Sequence, residues 1–255
     1  MIIILSPAKI QNFKTQEDAK MFSQPEFIKE ASYLVELMRE HSAAELGRLM
    51  EINANLTHLN FDRFFQWHLP FTPQNAKPAV YAFDGEVYRG LNAKTFTEDE
   101  MHYAQNHLRL LSGLYGILKP FDLMQAYRLE VSSKLNNYAG NDLYPFWKEK
   151  VTKSIARDLH KSGKPKFILN LSSSEYSKMI DVKSKKTRFI DVEFLEYQED
   201  KLKQIVIYTK KARGMMARYV IQHKIEDEED LKGFNENGYW FHSQLSTKNK
   251  LVFVR

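Results

Sequence analysis

Apolar positions along this chain fall into short blocks with two different periods. Met1–Leu5 is a continuous apolar run closed by Ser6-Pro7, which predicts a buried strand. Between 25 and 40, Phe27, Ile28, Ala31, Leu34, Val35 and Met38 recur at the three-and-four spacing of one helical face. Ser42-Ala43-Ala44-Glu45 is a capping-box pattern opening a short helix to about Met50. Asn53 is a capable N-cap for a second helix, to about Trp67. The tight Glu51-Ile52 connection makes these two a compact helical pair.

Beyond them, three prolines make Pro70–Pro78 a loop, and Ala79–Phe83 reads as a strand stopped by Asp84-Gly85. Thr97-Glu98-Asp99-Glu100 is a second capping box, leading a helix to Leu111 where Ser112-Gly113 ends it. A helix around Pro145–His160 and a strand at Phe167–Leu171 follow, and Ser172-Ser173-Ser174-Glu175 is a third capping box. Phe189–Tyr197 and Leu202–Tyr208 alternate as strands, paired antiparallel across the polar turn Gln198–Lys201. Lys211–Lys224 returns to helical spacing, with Met215, Met216, Tyr219 and Val220 on its buried side. There is no repeat or linker. The pattern predicts an α+β fold: one compact domain over residues 1–255, with a mixed sheet flanked by helices and the helical pair of 42–67 inserted near its start.

Composition narrows the function classes. At 255 residues and 43% hydrophobic content the chain buries a sizeable core. No apolar run approaches the roughly 20 residues that cross a bilayer. The N-terminus lacks a basic stretch ahead of its short apolar run, so a signal peptide is not expected and the cytoplasm is. With no cysteine, disulfides, thiolate zinc sites and thiol redox catalysis are excluded. The net charge of +5 is unevenly spread. Lys148 to Lys224 holds 19 basic and 9 acidic residues, and Lys201 to Lys224 holds seven basic residues and no acidic one. A field of one sign attracts phosphates, so a polyanion is the expected partner, with nucleic acid first; solvated faces on scattered elements explain the same counts.

Few motifs carry chemistry. Asp99-Glu100-Met101-His102 imitates half of a carboxylate–histidine iron site, but the bundle sites need two such motifs, so no metal is expected. A Walker lysine loop, a Gly-x-Gly-x-x-Gly and a Gly-x-Ser-x-Gly are all absent, and no cofactor or established catalytic motif is expected. Two loops stand out. Ser6-Pro7-Ala8-Lys9 puts a hydroxyl and an ammonium just past the first strand, and Asn170-Leu171-Ser172-Ser173-Ser174-Glu175-Tyr176 puts polar groups and a helix start just past another. Clefts form at strand ends and helix N-termini bind anions; simple capping explains the serines equally. Tyr127-Arg128-Leu129-Glu130 and Lys210-Lys211-Ala212-Arg213-Gly214 add charge to such a cleft. The 42–67 pair fits either an ordinary helix pair or a helix–hairpin–helix module, in which backbone amides hold phosphates.

Several segments together resemble the YaaA family of bacterial peroxide-stress proteins. They are Ser6-Pro7-Ala8-Lys9, Phe83-Asp84-Gly85-Glu86-Val87-Tyr88-Arg89-Gly90-Leu91 and Arg109-Leu110-Leu111-Ser112-Gly113-Leu114-Tyr115-Gly116, then the run from Asp122 to Glu130, Leu143-Tyr144-Pro145-Phe146-Trp147, the Asn170–Tyr176 loop, Lys210–Gly214 and Gly238-Tyr239. The resemblance implies cytoplasmic protection during hydrogen peroxide stress, by limiting unincorporated iron and oxidative damage to DNA. It also implies a single-domain mixed α/β fold with a helix–hairpin–helix element, here Leu46–Leu56, and a positive cleft that binds double-stranded DNA. Phosphate-binding candidates are Lys9, Arg128, Lys210, Lys211, Arg213 and Arg218, with Ser6, Asn170, Ser172 and Tyr176 lining the cleft. Two positions depart from the family pattern. Glu51 and Asn53 replace the usual hairpin glycines, and Ser172 stands where alanine is common. The chain is expected to act as a monomer and not as an enzyme. The alternative is an enzyme acting on a nucleotide, nucleoside or base in the same cleft, with Glu130, Glu175 or Lys9 as the catalytic candidates.

Overall fold

Ile2–Leu5 is buried along its whole length because it is a central strand. It pairs in parallel with Leu108–Ser112 on one side and Phe167–Leu171 on the other, so Ile3 lies beside both Leu108 and Leu169. A parallel strand covered on both faces reads as an unbroken apolar run, which explains the Met1–Leu5 pattern. The computed structural model describes residues 1–14, 21–161, 167–181, 187–199 and 201–255. Across the main sheet the parallel strands run in the order Leu108–Ser112, Ile2–Leu5, Phe167–Leu171, Arg188–Gln198, Lys250–Val254. Antiparallel strands Gly116–Leu118 and Trp240–Phe241 close its two edges, and Lys201–Lys203 pairs with the far end of Arg188–Gln198.

Taken in chain order, the five parallel strands sit in the sheet as second, first, third, fourth, fifth. The direction of build-up therefore reverses between Ile2–Leu5 and Phe167–Leu171. The chain leaves those neighbouring strands toward opposite sides, and a crevice opens beyond their carboxyl ends. Helices flank the sheet. Leu143–Lys161 packs on Ile2–Leu5 and Gly116–Leu118, while Val206–His223 packs across Arg188–Gln198, Phe167–Leu171 and Ile2–Leu5. One continuous hydrophobic core runs from Met1 to Phe253, giving a single mixed α/β domain.

Local expectations fail where a distant partner decides the structure. The helix begun by Thr97 stops at His107, and Leu108–Ser112 is a central strand. Arg109 on that strand caps the helix end, donating to the Gln105, Asn106 and Leu108 carbonyls, and it pairs with Asp158 at 2.6 Å. Ala79–Ala82 is a single helical turn, and its Ala79 and Val80 amides donate to the Asp122 and Pro120 carbonyls. Leu202–Tyr208 is not one strand. Pairing ends at Lys203, and Val206 begins the 18-residue helix that runs to His223. Ser42 and Thr97 both form reciprocal capping boxes. In the serine run, however, Ser173 caps the Ser174–Ser177 turn, Ser172 donates to Asn170 Oδ1 at 2.6 Å, and Glu175 accepts from Ser132.

The helical pair is Ala43–Met50 and Ala54–Gln66, joined through Glu51 in the left-handed conformation, with φ of 51°. Asn53 Oδ1 accepts the Leu56 amide at 3.0 Å, so one amide that a helix–hairpin–helix module would offer a phosphate is already occupied.

Candidate functional site

Two glycines build one wall of the crevice. The Glu86–Leu91 helix crosses Val206–His223 so closely that a Cβ on Gly214 would lie 1.8 Å from the Val87 carbonyl oxygen. A Cβ on Gly90 would lie 2.2 Å from the Lys211 carbonyl oxygen. Backbone meets backbone there, which only glycine permits. The crossing brings Lys210 and Arg213, one helical turn apart, beside the Asp84–Arg89 segment. The opposite wall depends on Gly113, where a Cβ would lie 2.1 Å from the Leu129 carbonyl oxygen. Its bare Cα lets the Tyr127–Glu130 segment pass against the turn that follows Leu108–Ser112.

The floor is the reversal point itself. Ser6, just past Ile2–Leu5, accepts the Ser173 amide at 2.8 Å, and its carbonyl accepts the Tyr88 hydroxyl at 3.0 Å. Gln11 Oε1 accepts the Tyr127 amide at 3.0 Å, tying the 6–11 loop to the second wall. Together these segments enclose a cleft of about 530 Å³. Burial pushes the hydroxyls of Tyr88, Tyr127 and Tyr176 up, so they line the cleft as neutral phenols.

Most of the candidates converge here. Ser6, Lys9, Arg128, Glu130, Glu175, Tyr176, Lys210 and Arg213 all line this cleft. Four do not. Asn170 and Ser172 are buried outside the lining, and Asn170 Nδ2 donates to Asp191 at 2.7 Å. Lys211 is exposed outside the lining. Arg218 is held elsewhere, donating to the Leu91 and Asn92 carbonyls and to Thr95 Oγ1 at 2.7 Å, with its guanidinium over the Phe96 ring. Its work is to close the end of the Glu86–Leu91 helix. The sequence reading missed Arg89, which lines the cleft and pairs with Glu86 and Asp84.

Charge in the cleft is mixed. Five basic residues (Lys9, Arg89, Arg128, Lys210, Arg213) face four acidic ones (Asp84, Glu86, Glu130, Glu175). Part of the basic excess of 148–224 is matched by carboxylates outside the segment. Arg157 binds Glu26, Arg188 binds Glu228 and Lys224 binds Asp99, while Lys153 pairs with Glu149 inside it. Lys164, Lys166, Lys183, Lys185 and Lys186 lie outside the described residues. Arg213 is different. Its Nε is buried with no hydrogen-bond partner, and burial pulls its pKa down while Asp191 opposes the shift. A guanidinium stays charged under such conditions, so Arg213 presents a desolvated positive charge to the cleft.

Arg128 and Glu130 are the other unfilled pair. Glu130 Oε1 lies 3.4 Å from an Arg128 terminal nitrogen and 3.5 Å from Lys9 Nζ. Yet Glu130 Oε1 and Arg128 Nε are both buried without a hydrogen bond. Among the described residues no group of three or more His, Asp or Glu side chains could hold a metal ion. No helix among them is long and apolar enough to cross a membrane.

Residues 1–245 match the family model described as peroxide stress protein YaaA. The chain is also 45% identical over 255 residues to the UPF0246 protein of Flavobacterium johnsoniae, with all of both chains covered. The Ser6–Lys9, Asp84–Arg89 and Tyr127–Glu130 stretches quoted for the resemblance line this cleft, and the chain belongs to the YaaA family of peroxide stress proteins.

Proposed function

We propose that this protein serves peroxide defence by binding double-stranded DNA at the cleft, acting in the cytoplasm as a monomer and limiting free iron and oxidative DNA damage. The observation that carries the reading is Arg213 and Lys210 at the switch-point crevice: Arg213 has a buried, unfilled Nε and Lys210 has no ion pair among the described residues. Cations without an ion pair among the described residues, placed at such a crevice, favour phosphate. Lys9, 68% exposed at the mouth, adds to the same field. With no ligand cluster among the described residues, any effect on iron is indirect in this reading.

Fluorescence anisotropy on a short labelled duplex tests it. Log affinity should fall steeply with log salt, and Lys210→Gln should lower the magnitude of that slope by about one. Binding indifferent to salt, or equal in wild type and in the double variant Lys210→Glu, Arg213→Gln, would sink the proposal. A second reading, catalysis on a nucleotide or base, is favoured by Glu130, a cleft-lining residue with one carboxylate oxygen that forms no hydrogen bond. Incubation with nucleotides and damaged duplexes, followed by mass analysis, tests that reading; unchanged substrates end it.

A further inference from the structure

Resting on the reading of the same cleft as a phosphate-binding site, we propose that the cavity holds one nucleotide, its phosphate against Arg213 and Lys210 and its base edge against Arg128 and Glu130. Size is the first argument. A volume of about 530 Å³ falls within the roughly 300–1,000 Å³ range of small-ligand pockets. A duplex, whose major groove alone is about 12 Å wide, does not enter such a space; a single residue does.

The lining is the second argument. A groove that only tracked a phosphate backbone would gain from cations and lose from carboxylates. Here Asp84 and Glu86 share Arg89 as their ion-pair partner, and Glu175 accepts from Ser132. Glu130 is ion-paired with Arg128 and Lys9, at 3.4 and 3.5 Å, yet its Oε1 forms no hydrogen bond and is buried beside the unfilled Nε–H of Arg128. Nucleobase edges set donors next to acceptors, which is the complement of that pair. A phosphate-facing Arg213 and a base-facing Arg128–Glu130 pair in one cavity match the two ends of a nucleotide.

The third argument concerns where the nucleotide comes from. Ile10, at the mouth of the cavity, is 61% exposed. Val206 and Ile207 are also exposed, four and three residues before Lys210 on the same helix. Apolar side chains beside a phosphate site suit contact with the bases that flank an extruded nucleotide, where proteins commonly insert such wedges. A free mononucleotide shares the same chemistry without needing them.

A duplex carrying 2-aminopurine at one central position and a fluorophore at one end separates these sources. Anisotropy reports binding, and 2-aminopurine emission reports unstacking. Calorimetric titration with free 5′-mononucleotides runs in parallel. A several-fold rise in emission on binding supports the proposal with the nucleotide drawn from DNA. Mononucleotide binding without an emission change supports it with a free ligand. Mononucleotide binding without duplex binding leaves it standing while removing the DNA-binding reading. Duplex binding with neither signal overturns it and leaves that reading intact. Glu130→Gln and Arg128→Gln, verified as folded by circular dichroism, should each weaken the positive signal about tenfold. Wild-type strength in both variants also overturns the proposal.

Discussion

Replacing Gly214 with alanine tests the crossing on which the cleft depends. The added Cβ would lie 1.8 Å from Val87 O, 2.7 Å from Leu91 N and 2.8 Å from Val87 C, whereas ordinary contact begins at 3.4 Å. Every one of these atoms is backbone, so no side chain can swing away, and the helices must part by about 1.6 Å. Overpacking of this kind costs about 1–3 kcal/mol and occasionally more, and backbone-on-backbone overlap belongs at or above the upper end. Alanine in a helix interior returns about 1 kcal/mol over glycine. The net loss is about 2–3 kcal/mol. At about 2–4 °C per kcal/mol for a chain of this size, Tm should fall by about 4–12 °C in a calorimetric scan. Duplex affinity should fall as well, because Arg213 is the neighbouring residue. Gly47→Ala is the control: its Cβ meets only the Thr57 side chain, at 2.7 Å, and should cost less. A Gly214→Ala protein with unchanged or raised Tm would refute the argument.

Three further outcomes follow from buried and bonded charges. Asp122 is buried, and desolvation raises its pKa from 3.8 to about 6 against the hydrogen bonds from Ser23 and the Lys119 amide. The folded state therefore binds the proton more tightly than the unfolded one. Asp122 should make stability fall as pH rises from about 4 to 6, by on the order of 2 kcal/mol, and Asp122→Asn should flatten that slope in urea melts; an unchanged slope contradicts the assignment. Asp158→Ala leaves Arg109, 3% exposed, without its carboxylate and should cost about 3–5 kcal/mol by urea denaturation; a loss below about 1 kcal/mol would count against a buried pair. Burial works to raise the Asp158 pKa, but Arg109 outweighs it and the net shift is downward, so this stabilisation is present above about pH 4 and is lost as pH falls through the lowered folded value. Arg218→Ala should cost about 1–2 kcal/mol of stability while leaving duplex affinity unchanged by anisotropy, which separates it from Lys210 and Arg213.

What the sequence shows and hides divides by the range of the interaction. Ser42 and Thr97 were legible because a capping box is complete within four residues. The serine run was not, since three adjacent hydroxyls offer several cap registers and Asn170 claims Ser172. Leu108–Ser112 looks like the end of a helix because no breaker precedes it. Its partner strand is Ile2–Leu5, about 100 residues away, and only that pairing makes it a strand. Charge behaves the same way. The partners of Arg157, Arg188 and Lys224 are Glu26, Glu228 and Asp99, all outside the basic segment, so counting within it overstated the free positive charge. The cleft loops were legible by another route: polar residues immediately after a buried parallel strand must stand at its carboxyl end, where an open sheet has its crevice.

The residues around the cleft thus divide into two kinds of work. Gly90, Gly113 and Gly214 have no chemistry of their own, yet they allow the close backbone approaches that bring two walls to the reversal point. Arg89 and Arg218 are held by pairing and capping, and they fix the 84–95 segment as one wall. After that subtraction the groups with unfilled capacity in the cleft are Arg128, Glu130 and Arg213, joined by the exposed Lys9 and Lys210. A set built only to grip a polyanion has no reason to bury an acceptor oxygen among its cations, because that oxygen repels the phosphate it would face. The carboxylate of Glu130 is therefore the feature that separates recognition of a whole nucleotide from attraction to a backbone. Its replacement by glutamine should strengthen plain electrostatic attachment to duplex DNA while weakening whatever occupies the cavity.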